Sequence, residues 1–434
     1  MHRRRAETMR PQDALARCRY DPRNFRRRTA SIVCPKEAFM SQPVSNAPGI
    51  EAEVAVVGAG PAGLATAIGF AASGRTTVLI TGPERGIDHR TTALLGTSIP
   101  ILERFGVWDR IAPHTAPLRD MRIVDGTRRL VRAPEVTFKA SEIGLEAFGY
   151  NIENEPLRRE LGAAAEETNG LSLARASLTD LRTDADGVTL SLDDGRSVRA
   201  TLVVAADGRN SRVREACGIG VKRREYPQVA VTATVRHTRP HWDISTEFHT
   251  ETGPFTLVPL PGDRSSIVCV VDDREAVRLL GLDLPALARE FERRAHSILG
   301  PFEVEEGRAA FPLVAETARE ITAPRVALMA EAAHVMPPIG AQGLNLGLRD
   351  AVALVDLAAE PGLDLGGAEM LKRYAGARDR DIHGRMTAVD MLNRSLLSDL
   401  VPVQSVRGFG LYLLDRVGPL RRTVMRLGLG NRAA

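Results

Sequence analysis

Glu53-Val54-Ala55-Val56-Val57-Gly58-Ala59-Gly60-Pro61-Ala62-Gly63 runs from a short apolar segment into a glycine-rich turn with nothing between them. Val54 to Val57 read as a strand buried on both faces, because four consecutive apolar residues leave no polar side. Gly58 permits a tight reversal, Gly60 lets the backbone approach an anion, and Gly63 lets the following helix lie close to the strand. Pro61 suits the first helical position, and with Ala62 it opens a helix whose unpaired N–H groups face a pyrophosphate. The helix extends to about Ser73, and Thr77-Val78-Leu79-Ile80 reads as a second strand, giving the opening of a Rossmann-like unit. The same turn also serves as a plain strand-to-helix connection, so alone it points to a dinucleotide without naming one. The acid that commonly ends the second strand to hold a ribose is absent: the strand ends at Thr81-Gly82, with Glu84 the nearest carboxylate. Either Thr81 takes a weaker role or the ribose is held elsewhere.

Outward from this unit, helices are expected over Leu94 to Phe105 and Glu155 to Thr168. Strands are expected over Ser172–Ala176, Val188–Leu192 and Val198–Ala200, the last two joined by the turn Asp193-Asp194-Gly195. Leu202 to Ala206 is another buried strand, ending in Asp207-Gly208. From Gln228 to Val271 the pattern alternates without helices, as in Val229–Val235 and Ser265–Val271, which predicts an antiparallel sheet. A helix near Leu284 to Leu299 follows, and Val326-Ala327-Leu328-Met329 returns to the buried-strand pattern. The nucleotide-binding unit is therefore discontinuous and carries the β-rich unit as an insertion.

The 434 residues suffice for two or three domains, and 44% apolar with 26% charged residues is the balance of an ordinary globular chain. The net charge is +4, yet residues 1–39 alone hold eleven Lys/Arg against four acids, so the remainder is negative. That count gives no support to a basic nucleic-acid face on the folded part. The basic segment lacks an apolar core and is no secretory signal; its arginines suit an organellar transit peptide, or Met40 is the native start. Cys18, Cys34, Cys217 and Cys269 are far apart and form no C-x-x-C, so neither a disulfide framework nor a metal site is expected. No run of eighteen apolar residues predicts a membrane span.

Two later segments carry chemistry. Ala205-Ala206-Asp207-Gly208-Arg209-Asn210-Ser211-Arg212 places a carboxylate and a glycine after a buried strand, where a simple turn would look the same. Ala330-Glu331-Ala332-Ala333-His334-Val335-Met336-Pro337-Pro338-Ile339-Gly340-Ala341-Gln342-Gly343-Leu344-Asn345-Leu346-Gly347-Leu348-Arg349-Asp350 ends a strand at an acid, stiffens a loop with two prolines and opens a helix with glycines. His334 is read either as a catalytic group or as a packed, hydrogen-bonded histidine.

With the glycine turn, Asp88-His89-Arg90-Thr91-Thr92-Ala93-Leu94, Asp207-Gly208 and Pro337 to Asp350, residues 52 to 430 resemble the class A flavoprotein aromatic hydroxylases. Within them, the chain resembles the ubiquinone-biosynthesis hydroxylase family. The resemblance implies an α/β fold: a Rossmann-like FAD-binding domain (50–120, 150–225 and 310–360), an inserted antiparallel β-sheet substrate domain (121–149 and 226–309) and C-terminal helices (361–434), after a non-native or disordered extension (1–49). It implies that Gly58, Gly60, Pro61, Ala62 and Gly63 cradle the FAD pyrophosphate, that Arg90 lies over the cofactor, and that Asn154 contacts the flavin. Asp207 would lie near the groove shared by FAD and nicotinamide, and Glu331 would bind the ribityl chain. Gly340, Gln342, Gly343, Leu344 and Asn345 would meet the isoalloxazine, largely through N–H groups, and the Pro338 carbonyl would face the substrate phenol. Where the family has Gly-Asp this chain has Ala330-Glu331, which adds a methyl at a tight strand end and lengthens the acid by one methylene.

The implied reaction takes electrons from NAD(P)H and delivers one atom of O2, through a flavin C4a-hydroperoxide, to the ring of a prenylated phenol. The apolar strand Phe255 to Leu260 is a candidate lining for that substrate or a plain core strand. Residues 401–429 mix Phe409, Leu411, Tyr412, Leu413 and Leu414 with Arg407, Arg416, Arg421, Arg422 and Arg426. They are expected to touch a membrane surface or a biosynthetic complex, which suits a cytoplasmic protein peripheral to the inner membrane. The competing readings are a hydroxylase or epoxidase of a soluble aromatic, and a non-catalytic FAD-binding subunit.

Overall fold

The computed structural model describes residues 49–83, 86–127, 134–397, 412 and 416–429. The basic segment 1–39, the alternative start at Met40, Glu84 and most of residues 401–415 lie outside the described residues. Three sheets organise the rest. In the eight-stranded sheet, Ile50–Val57 lies between Ser197–Ala205 and Thr77–Ile80, parallel to both. Leu171–Ala174 extends one side and Val326–Leu328 the other, with Thr322–Ala323 at the edge. Val188–Leu192 pairs antiparallel with Ser197–Ala205, and Leu178–Thr183 pairs antiparallel with Val188–Leu192 in turn. Val54, Val56, Leu79, Leu202 and Val204 are fully buried under helix Pro61–Ala72, itself apolar all round because it is covered by helices Asn154–Glu167 and Gln342–Ala358. Each such aliphatic side chain contributes roughly 1.5–3 kcal/mol by leaving water.

Register, more than strand identity, builds the site. Val57 pairs with Ala205, and Ala205 pairs with Leu328. The Gly58 turn, Asp207 and Glu331 therefore leave three adjacent parallel strands at one end, the carboxyl edge where open α/β sheets bind ligands.

The second sheet has nine strands in the order His334–Val335, Ala309–Ala318, Val221–His237, Arg264–Val271, Pro254–Leu260, Ile244–His249, Asp120–Asp125, Val136–Lys139, with Phe302–Val304 on the end of Val221–His237. All pairings are antiparallel except Ile244–His249 with Asp120–Asp125. Helices Asp273–Gly281 and Leu284–Arg294 cover one face, burying Leu279, Leu287 and Phe291 against Phe255 and Leu257. Phe255 and Leu257 are thus core residues, the blander of the two readings of that strand.

Three boundaries differ from the sequence reading. Leu94 does not begin a helix: Thr91–Leu95 is a strand paired with Gly149–Glu153 in a small third sheet, and the helix is Ser98–Arg104, after Gly96 turns the chain at φ +52°. Two adjacent β-branched threonines favour that strand, and helical periodicity in the following residues had masked it. The helix from Leu284 ends at Arg294, because His296 and Ser297 take left-handed conformations. Ser197–Ala205 is one unbroken strand rather than two.

Candidate active site

The first and second segments are in contact at the turn. A Cβ built on Gly58 would meet the Ala206 carbonyl oxygen at 2.4 Å, and one on Gly63 would meet the Gly58 carbonyl oxygen at 1.9 Å. Gly58 also takes φ +111°. Both positions are closed to any side chain. Gly60 is different: its φ of −73° suits any residue and a Cβ there would meet nothing within 4 Å. Its lack of a side chain leaves open space in front of the helix, of the kind a pyrophosphate needs. Pro61 and Ala62 begin helix Pro61–Ala72, which has no capping side chain and no acid in its first turn. Thr81, at the end of the second strand, spends its hydroxyl on the Gly82 carbonyl at 3.2 Å.

Asp207 accepts N–H bonds from Arg212 (2.8 Å) and Val213 (3.3 Å) through Oδ2, capping the short helix Arg212–Ala216. Its Oδ1 is buried without a hydrogen-bond partner among the described residues. A buried carboxylate oxygen left over in this way calls for a donor from a ligand or water.

Arg90 folds onto Asp88, with Nε to Oδ1 at 2.8 Å and a terminal nitrogen to Oδ2 at 2.7 Å, and its guanidinium lies 4.9 Å from the centre of the Phe311 ring. Asn154 completes this group: its Nδ2 donates to Asp88 Oδ2 at 2.9 Å, its Oδ1 accepts from Thr92 at 2.7 Å, and its backbone N–H donates to the Arg90 carbonyl. Burial works to raise the Asp88 carboxyl, but the hydrogen bonds from Arg90 and Asn154 outweigh it and hold the group at about 2. Asp88 in turn, and Glu331 through space, keep Arg90 firmly protonated. Glu331 is exposed, with no hydrogen-bond partner among the described residues.

The third segment makes two left-handed residues in succession, Gly340 at φ +73° and Ala341 at φ +52°, before helix Gln342–Ala358 begins. That helix too lacks a side-chain cap and a first-turn acid, and a Cβ on Gly343 would meet nothing within 4 Å. Its first N–H groups, from Gln342 to Leu344, have no intrahelical acceptors. The side chains of this turn are engaged elsewhere. Asn345 is buried, its Oδ1 accepting from Leu95 N–H (2.8 Å) and Ser98 (2.6 Å), its Nδ2 donating to the carbonyls of Ala93 and Ala341. Gln342 donates to the Gly340 carbonyl and accepts from Arg385. These two residues therefore have only backbone groups to offer a ligand. Pro338 is exposed, just before the turn Ile339–Ala341.

His334 is the packed histidine. Its Nε2 lies 2.7 Å from Asp350 Oδ2, both side chains are fully buried, and Arg378 Nε donates to Asp350 Oδ1 at 2.7 Å. Burial works to raise Asp350, yet His334, Arg378 and the Ala330 N–H together hold it below the usual carboxylate range. Phe311, Arg378 and Arg385 join the site only in three dimensions. Asp88 and Asp350 stand at the ends of two of the motifs quoted above, and only their contacts give them a role.

The residues suit FAD. Uncapped, acid-free helix starts carry Gly60 and Gly343, which leave space open beside them, and an unpaired Asp207 oxygen, a Glu331 carboxylate without a partner among the described residues and the Arg90 cation supply polar groups. Phosphates favour the first helix start, and a ring system acquiring negative charge favours the second.

A family model described as FAD binding domain matches residues 51–387. The ubiquinone hydroxylase UbiL of Rhodospirillum rubrum is 36% identical over 402 residues, 90% of this chain and 92% of its own. The 3-demethoxyubiquinol 3-hydroxylase of Escherichia coli is 31% identical over 87% of this chain and 98% of its own. Among solved structures, p-nitrophenol 4-monooxygenase PnpA from Pseudomonas putida superposes with a TM-score of 0.72 over 89% of this chain and 100% of its own, at 19% identity, a likeness of fold.

Proposed function

This chain belongs to the FAD-binding-domain family, as an FAD-dependent monooxygenase with the class A flavoprotein fold, and we propose that it hydroxylates the aromatic ring of a prenylated phenol in ubiquinone biosynthesis. The observation that carries the reading is the 36% identity to a ubiquinone hydroxylase across nine-tenths of the chain, over a site with the openings just described.

FAD, when bound, supplies the oxygen-transfer chemistry, with NAD(P)H as electron donor and O2 as co-substrate. The protein's part is placement and electrostatics. In our reading Gly58, Gly60, Pro61, Ala62 and Gly63 seat the pyrophosphate. Arg90, Asn154, Asp207 and Glu331 hold the ribose, ribityl and flavin edges. The N–H groups of Gln342, Gly343, Leu344 and Asn345, after the Gly340 turn, stabilise negative charge at a helix start free of acids. The Pro338 carbonyl accepts a hydrogen bond from the phenol hydroxyl. Residues 50–120, 150–225 and 310–360 serve the cofactor, and 121–149 and 226–309 the substrate.

No helix among the described residues is long and apolar enough to cross a membrane. Contact with a lipid surface falls to the tail. Helix Gly418–Leu429 docks Met425 against Ala140 and Phe148 and ties Arg421 to Glu142 at 2.7 Å. It leaves Leu420 and Val424 exposed, with Val417 just before it and arginines at 416, 422 and 426. Exposed apolar residues one turn apart beside arginines suit a peripheral attachment to the anionic inner membrane of a cytoplasmic enzyme.

The test is metabolic. A strain lacking the gene is expected to accumulate a prenylphenol one hydroxyl short, and purified yellow protein is expected to oxidise NAD(P)H faster when that compound is added. An unchanged quinone pool, or colourless protein, overturns the reading.

A further inference from the structure

Ala330 stands at φ +48°, a left-handed conformation that costs an L residue with a Cβ and that glycine takes freely. It is followed at once by Glu331, so the backbone angle at 330 sets where that carboxylate points. Two features hold the angle. The Ala330 N–H donates to Asp350 Oδ2 at 2.9 Å, and the same oxygen receives His334 Nε2 at 2.7 Å. One carboxylate on helix Gln342–Ala358 thus grips both ends of the short turn 330–334 that carries Glu331. Its other oxygen is fixed by Arg378 at 2.7 Å. The Ala330 methyl, for its part, stands against Gly347: a Cβ on Gly347 would lie 3.0 Å from the Ala330 Cβ and 3.3 Å from that of Ala62. Room for the methyl exists because residue 347 is glycine.

We propose that Asp350 is the positioning residue for Glu331: by clamping Ala330 in its left-handed conformation it aims the Glu331 carboxylate at the cofactor. The added methyl at 330 makes this clamp necessary, since a backbone free to relax would turn Glu331 away. The proposal rests on the reading that Glu331 binds FAD. It separates a positioning role from mere helix packing, because relieving the strain at 330 must repair the loss of Asp350.

The experiment titrates FAD into cofactor-free protein by flavin fluorescence and checks folding by circular dichroism. Asp350→Asn is expected to weaken FAD binding tenfold or more. Ala330→Gly in the same chain is expected to restore most of it, because glycine takes φ +48° without the Cβ penalty that the clamp offsets. A folded double variant as weak as D350N, or a D350N that binds like wild type, overturns the proposal. Gly347→Ala covers the case in which D350N does not fold. It pushes the Ala330 methyl from its seat, is expected to weaken FAD binding, and is expected to be repaired by A330G; wild-type affinity in G347A overturns the proposal. Wild-type protein that binds no FAD overturns the underlying reading instead.

Discussion

At the scale of single residues, the three turn glycines have separable jobs. Gly63→Ala forces a Cβ to within 1.9 Å of the Gly58 carbonyl oxygen, an overlap with backbone that no side-chain rotation relieves. It is expected to cost about 1–3 kcal/mol of unfolding free energy in cofactor-free protein, read by urea denaturation. Gly60→Ala meets nothing in the protein and is expected to leave that stability unchanged while weakening FAD binding at least tenfold in the same titration. Equal effects of both substitutions on stability would refute the division. Asp88 supplies a pH-dependent case. Its carboxyl sits at about 2 against an ordinary 3.8, so its folded value is depressed. The stabilisation it gives is complete above the ordinary value and disappears as pH falls through about 2. The stability difference between wild type and Asp88→Asn is therefore expected to be constant above about pH 5 and to vanish between 3.8 and 2. The pair is partly exposed, so the plateau is expected at about 1 kcal/mol or less.

At the scale of elements, the short sheet containing Thr91–Leu95 and helix Gln342–Ala358 act as one piece through Asn345. Its amide takes the Leu95 N–H and the Ser98 hydroxyl and donates to the Ala93 carbonyl, all some 250 residues away in sequence, and donates as well to the Ala341 carbonyl at the start of its own helix. Asn345→Leu leaves the Leu95 N–H and the Ser98 hydroxyl buried without their acceptor. A loss of about 2–4 kcal/mol is expected by urea denaturation of cofactor-free protein, and a loss below ~1 kcal/mol would show that water or repacking replaces the amide. The sequence makes the helix legible, because Gly343 and the apolar spacing after it mark a start. It does not show that Asn345 faces inward to bind the strand; the motif reads equally well with that amide turned toward a ligand. Thr91–Leu95 was illegible for a related reason. A five-residue strand owes its state to a partner, Gly149–Glu153, more than fifty residues away.

At the scale of the whole molecule, the tail supplies the remaining prediction. Leu420→Asp with Val424→Asp changes two exposed residues and leaves Met425 docked. The double variant is expected to lose at least half of the flotation with anionic liposomes that the full chain shows, with its thermal midpoint unchanged; undiminished flotation would reject this helix as the attachment. The sequence by itself determined the nucleotide turn, the interrupted first unit, the antiparallel insertion and the Pro337–Asp350 signature. Each of these depends on local conformational preference or on apolar periodicity, which neighbours in the chain suffice to express. Tertiary structure alone decided which groups remain available. Strand register brought Gly58, Asp207 and Glu331 to one edge, and packing occupied the side chains of Asn345, Gln342 and His334. The same packing set the left-handed Ala330 between Asp350 and Gly347. The glycine turn that opens the first described helix announces a phosphate, but which side chains stay free beside it depends on hydrogen-bond partners hundreds of residues apart, and no local pattern encodes those.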